Sequence, residues 1–156
     1  MTAVLHLKRG GVEDLSVVMP VMVAGFDSHF GEAWNETQCV GMLSLPNTAL
    51  HLAYCGEDIA GFSMSRFVVD ETELLLLAVK PQFQKMGIGS ALLDQAAKWS
   101  HGCGAQRIFL EVREDNSAIN LYHKAGFAVI GRRPRYYKGR DGDCRDAITY
   151  ALNLFV

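Results

Sequence analysis

One carboxylate interrupts an otherwise mostly apolar run, Ile108-Phe109-Leu110-Glu111-Val112-Arg113, and a carboxylate so placed can do acid–base work. If apolar walls bury Glu111, its pKa rises and it becomes a usable base near neutral pH. The competing reading is a strand-end glutamate paired with Arg113 or Lys124. Downstream, Tyr122 shares a helical face with Ala118, where a tyrosine packs as core or presents a phenol to a reaction. A second segment, Gln84-Lys85-Met86-Gly87-Ile88-Gly89-Ser90, stands between an apolar run and an amphipathic one. Its glycines let the backbone approach a ligand, and the helix start offers unpaired N–H groups and a positive dipole end to an anion. A phosphate fits there, and so does a plain tight turn. The segment lacks the Lys-Ser/Thr ending of a nucleotide P-loop and the GxGxxG spacing of a dinucleotide site, which disfavours ATP and NAD.

These residues need elements to position them. Residues 4–8 read as a first strand, and residues 12–26 as a helix kinked or interrupted at Pro20, with Leu15, Val18, Met19, Met22 and Val23 at helical spacing. Asn35 is a candidate cap for a short second helix that ends before Pro46. Residues 49–54 and 59–68 form an expected antiparallel hairpin across Gly56-Glu57-Asp58. Residues 74–79 are unbroken apolar, which implies burial on both faces of a central strand. Residues 87–99 place Ile88, Leu92, Ala96 and Trp99 on one helical face. Strand, helix and strand are then expected at 107–113, 116–125 and 127–132, with Gly126-Phe127 as a Schellman-type stop. A last strand at 146–152 is expected to close the sheet. This order predicts an α/β fold: a mixed sheet with helices on both faces.

The composition sets bounds. The 156 residues, 49% hydrophobic and 21% charged, suit a single domain over residues 1–156. A net charge of -2 argues against general polyanion binding, so direct contact with nucleic acid is not expected. Cys39, Cys55, Cys103 and Cys144 stand apart with no CxxC pair, and only Cys103 has a histidine near it in sequence, His101. Neither a metal site nor a disulfide framework is indicated, and reduced thiols in a cytoplasmic protein are the plain expectation. Residues 1–11 are too short for a signal core, and no apolar run approaches a membrane span.

Residues 84–89 match the Q/R-x-x-G-x-G/A signature of the GNAT superfamily, in the required place after Leu77-Ala78-Val79. The run from Leu110 to Phe127 resembles the LEVR...N...A...LY...GF run of the superfamily's ribosomal-protein N-acetyltransferases. Arg132-Arg133-Pro134-Arg135-Tyr136-Tyr137, Asp141-Gly142 and Arg145-Asp146-Ala147 resemble their RR.YY...DG..DA segment, and Ala33-Trp34-Asn35 their PWS. The likeness covers about half the chain. It implies the GNAT fold: a mixed, mostly antiparallel twisted sheet of six to seven strands flanked by about four helices.

The same likeness implies acetyl-coenzyme A as co-substrate, with no metal. Leu77, Ala78 and Val79 would line the acetyl arm, residues 84–90 would hold the pyrophosphate, and Asn116 would contact coenzyme A. Glu111 would take the acceptor's proton and Tyr122 would protonate the leaving thiolate. Trp34, Tyr136 and Tyr137 would lie beside the substrate, the tyrosines in a loop; a basic hairpin packed by its two aromatics is the alternative. The stretch between Arg113 and Ile119 is one residue shorter than the family pattern, and Tyr122 keeps its facing if the shortening precedes the helix. The implied partner is a peptide N-terminus of a ribosomal protein, met by a monomer or homodimer with no membrane involved. An enzyme acting on a small amine and an acyl-coenzyme A-binding module without turnover are the alternatives.

Overall fold

The structure is a computed structural model that describes residues 4–155. Residues 1–3, the start of the stretch read above as carrying no signal, lie outside the described residues. Seven strands form one sheet in the order β1-β2-β3-β4-β5-β7-β6. β1 (Leu5–Gly10), β2 (Thr48–Cys55), β3 (Asp58–Val68) and β4 (Glu71–Val79) make an antiparallel meander. Its β2–β3 turn places Gly56 at φ 61°, a conformation a glycine adopts without a Cβ clash. β5 (Arg107–Arg113) joins β4 in parallel. The last strand, β7 (Cys144–Asn153), does not close the sheet as expected. It lies between β5 and β6 (Ala128–Lys138), leaving β6 at the edge. The patterns explain the order: β7 buries Ala147, Ile148, Tyr150 and Ala151, whereas β6 is exposed along most of its length.

Helices cover both faces, as the element order predicts. α1 (Leu15–Gly25) runs through Pro20 after a 3-10 turn at Val12–Asp14, so the helix starts three residues later than its periodicity suggested. Its Leu15, Val18, Val21 and Met22 pack on Leu50, Leu52, Phe62 and Met64 of the sheet. α2 (Glu36–Leu43) begins at the cap expected at Asn35, which proves to be a capping box: its Oδ1 accepts from the Gln38 N–H and Gln38 Oε1 accepts from the Asn35 N–H, both at 2.8 Å. Such a cap is worth about 1 kcal/mol. On the other face α3 (Ile88–Gly102) buries Ile88, Leu92, Leu93 and Ala96, while Trp99 is half-buried under the Arg9 guanidinium, 5.8 Å from its ring centroid. α4 is shorter than expected, Ile119–Lys124. It ends in the Schellman stop, with Phe127 N–H donating to the Tyr122 carbonyl at 3.0 Å and Gly126 N–H to His123 at 3.1 Å.

Candidate active site

β4 and β5 pair only through Glu71–Arg107, Thr72–Ile108 and Glu73–Phe109. Beyond Glu73 they part, and a cleft of about 930 Å³ opens between them. The parting begins at a bulge. Ser65 faces Leu74 and Met64 faces Leu76, so Leu75 is the extra residue of β4, and a bulge bends its strand and re-aims the side chains after it. Accordingly Leu77 and Val79 turn toward α3, while Leu76 and Ala78 pack with α1. The burial on both faces expected of residues 74–79 is found, Leu76 and Ala78 packing with α1 and Leu74 and Leu77 with the α3 side, though it is incomplete beside the cleft. Leu74, Leu76 and Ala78 are buried, and Leu75, Leu77 and Val79 are half-buried because they border the cleft.

The open edge of β4 carries unpaired backbone groups. Lys80 N–H donates to the Ala60 carbonyl at 2.8 Å. Antiparallel alternation then turns the N–H and C=O of Val79 and Leu77 away from β3 and into the cleft. Gln84 Nε2 donates to the Val79 carbonyl at 3.3 Å, fastening the loop to the strand end. Lys85 and Gly87 take positive φ, 63° and 82°, to swing the chain into α3. The first helical bond is from Ala91 N–H to the Gly87 carbonyl, 3.0 Å. Ile88, Gly89 and Ser90 N–H thus have no backbone acceptor among the described residues, and they open on the cleft that these residues line. Gly89 also packs closely: a Cβ there would stand 3.1 Å from Leu121 Cδ2 of α4, which would have to give by a few tenths of an ångström. The Met86 side chain is 55% exposed and does not line the cleft, so only its backbone is available to a ligand.

Glu111 and Tyr122 both line the cleft, from opposite faces of the sheet. Along β5, Ile108, Leu110 and Val112 point into the core shared with Tyr122 and α3, and alternation sends Glu111 and Arg113 to the α1–α2 face. The apolar walls expected around Glu111 are not what surrounds it. Its carboxylate meets the Arg133 guanidinium at 2.9 Å, so its counter-ion comes from β6 rather than being Arg113 or Lys124. Tyr122 is buried against Phe127 and Tyr150, and burial pushes its phenol well above the usual range. α4 begins at Ile119, after the shortened stretch, and turns Tyr122 into the core with Phe127 and Tyr150. Asn116 lines the cleft, but its Oδ1 accepts from the Ala118 N–H at 2.8 Å, closing the turn into α4.

The mouth on the α1–α2 face gathers Trp34, Tyr136 and Tyr137. The two tyrosines lie in β6, not in a loop: a register shift between Arg133 and Tyr137, with Arg135 at φ 55°, turns them to the cleft. Tyr137 is pushed up to about 12 by burial, then by Glu32 and Glu111. The arginines beside them are matched, Arg132 to Glu114 and Asp146, Arg133 to Glu111. Sequence reasoning missed Glu32 and Glu73, which also line the cleft. Arg113, 13% exposed, pairs with Glu32 and Asp115 and lies 4.5 Å from the Phe30 ring centroid, so it ties the loop before Trp34 to the end of β5. Glu73 had a signal in the sequence, the last of three acidic residues, Asp70, Glu71 and Glu73, abutting the apolar run 74–79; Glu32 had none.

Comparison with known proteins agrees with this geometry. Residues 19–127 match the model of the Acetyltransferase (GNAT) family. The [Ribosomal protein bS18]-alanine N-acetyltransferase of Haemophilus influenzae is 38% identical over 96 residues, 62% of this chain and 66% of that one. Its namesake in Escherichia coli (strain K12) is 39% identical over 97 residues, 62% of this chain and 65% of the other. The matched region thus spans just under two thirds of these relatives' length. The solved structure of the ribosomal-protein-S18-alanine N-acetyltransferase from Escherichia coli superposes with a TM-score of 0.88 at 27% identity, over 98% of this chain and 96% of that one.

Proposed function

The chain belongs to the GNAT acetyltransferase family, and on that premise we propose that it transfers an acetyl group from acetyl-coenzyme A to a primary amine, the N-terminal α-amine of a ribosomal protein. The observation that carries the reading is the placement of Glu111 and Tyr122 on opposite faces of the β4–β5 opening, with the free edge of Val79 between them. Donor and acceptor approach from opposite sides and meet only in the gap. The acceptor class follows the names of the relatives, which are called acetyltransferases for the alanine of ribosomal protein bS18.

Acetyl-coenzyme A supplies the acyl carbon and the thiolate leaving group; the residues of this chain do the rest. The N–H groups of Ile88, Gly89 and Ser90, at the positive end of α3, suit its pyrophosphate. Leu77 and Val79 border the acyl arm, and the Val79 N–H is placed to meet charge developing on the carbonyl oxygen. An N-terminal ammonium has an ordinary pKa near 8, so it needs only modest help to become a nucleophile. Glu111 receives that proton. As the carbon–nitrogen bond forms and the carbon–sulfur bond breaks, the Tyr122 phenol, protonated at neutral pH as an ordinary tyrosine is and pushed further up by burial, donates to the thiolate.

Mass gain on synthetic ribosomal N-terminal peptides, with spermidine and free amino acids alongside, tests this. The expected result is acetylation of one peptide's α-amine, with kcat/KM lowered by roughly 10²-fold or more in Glu111→Gln and in Tyr122→Phe. Transfer to small amines alone discards the peptide acceptor. Binding of coenzyme A with no transfer to any amine discards the enzyme in favour of an acyl-coenzyme A-binding module.

A further inference from the structure

Glu73 stands at the root of the opening. It is the last residue of β4 that pairs with β5, opposite Phe109. Neighbouring residues of a parallel pair share a face, so Glu73 lies on the face of Phe109 and, two residues along, of Glu111. Its half-buried side chain lines the same cleft. The two other carboxylates of that mouth have guanidinium partners, Glu32 with Arg113 and Glu111 with Arg133. Among the described residues Glu73 has no ion pair of its own. Burial and the charge of Glu111 raise its pKa, and Arg133 offsets part of that rise from β6. Tyr137 from β6 and Glu32 from the loop before α2 border the mouth on the same side. An unpaired carboxylate beside a second one is costly to bury. That cost disappears when a cation arrives between them.

We propose that Glu73 is a second acceptor-binding carboxylate, which with Glu111 holds the incoming ammonium and shares the proton the amine loses. The inference rests on the acetyl-transfer reading above. The nitrogen–hydrogen bond breaks, its proton goes to the carboxylate pair, and the freed lone pair forms the bond to the acyl carbon as the thiolate departs.

Initial rates for Glu73→Gln against acceptor and acetyl-coenzyme A, from about pH 5 to about pH 9, test the assignment. The acceptor KM is expected to rise about tenfold or more, while the acetyl-coenzyme A KM stays within about twofold. Glu71→Gln, which loses only the Arg107 pair outside the cleft, is expected to match the wild type. A Glu73→Gln enzyme with wild-type acceptor KM overturns the inference while leaving the transferase reading intact. Equal rises in both KM values with a lowered Tm overturn it in favour of a merely structural glutamate. A wild-type protein that acetylates no amine overturns both.

Discussion

Gly61 faces Val79 across the β3–β4 ladder, and adding one methyl group there tests whether the free edge of β4 is what the chemistry depends on. A Cβ at Gly61 would stand 2.7 Å from the backbone oxygen of Ala78, 3.2 Å from Leu92 Cδ1 and 3.3 Å from Val79 Cγ2. The leucine and valine methyls can yield; the Ala78 carbonyl is part of the ladder. Relief to ordinary contact requires the end of β4 to move by roughly 0.6 Å, and overpacking of this kind costs about 1–3 kcal/mol. In a chain of this size that lowers Tm by roughly 2–10 °C. The larger effect falls on catalysis. A hydrogen bond of about 2.9 Å lengthened by that amount is no longer one, and loss of one donor to a developing oxyanion costs about 10²–10³ in kcat. The loop at 84–90 is fastened to Val79 through Gln84 and moves with it, so acetyl-coenzyme A binding weakens less than turnover. Calorimetry with steady-state kinetics on Gly61→Ala gives both numbers. A kcat within about threefold of wild type, at a lowered Tm, would refute the argument, because the strand end would have moved without consequence for transfer.

Two further outcomes follow from buried charge. Arg113→Ala leaves Glu32 half-buried without its guanidinium, and is expected to cost about 3 kcal/mol and roughly 10 °C of Tm. Glu32→Gln in the same chain should return part of that loss, and a single-variant loss below about 1 kcal/mol would contradict the pairing. His51, 4% exposed, is lowered from 6.5 to about 4 by burial and then by Arg9. The unfolded chain therefore takes up this proton before the folded one does, and stability present at neutral pH is lost as pH falls from about 6.5 to about 4. Between about pH 7 and about pH 5 the loss is about 2 kcal/mol. Glu32 and Glu73, raised by burial, act with opposite sign just above the ordinary carboxylate range. Denaturant unfolding of His51→Leu beside wild type isolates the histidine; a variant with the wild-type acid slope would show that His51 is not its source.

Much of the site could be read from residue order, because it rests on local rules. Gln84 to Ser90 could be recognised as a loop feeding a helix start, since glycine tolerance and unpaired N–H groups belong to a few consecutive residues. Asn35 with Gln38, and Gly126 with Phe127, mark a helix start and a helix stop within one turn of chain. Glu111 and Tyr122 stood out as a charge in an apolar strand and an aromatic on a helix face.

What surrounds them was decided by tertiary structure. Arg133 reaches Glu111 across β7, which inserts between β5 and β6, and nothing in the order of strands along the chain requires that insertion. The bulge at Leu75 breaks the alternation of β4 without leaving a glycine or proline to betray it. Tyr136 and Tyr137 sit in a strand, yet a register shift turns them into the cleft. Glu32 meets Arg113, and Glu73 lines the same cleft as Glu111, across loops and strands distant in sequence. Backbone preferences act over a few residues and are legible in their order; ion pairs, strand order and the parting of β4 from β5 arise from packing between distant segments, which no local spacing encodes.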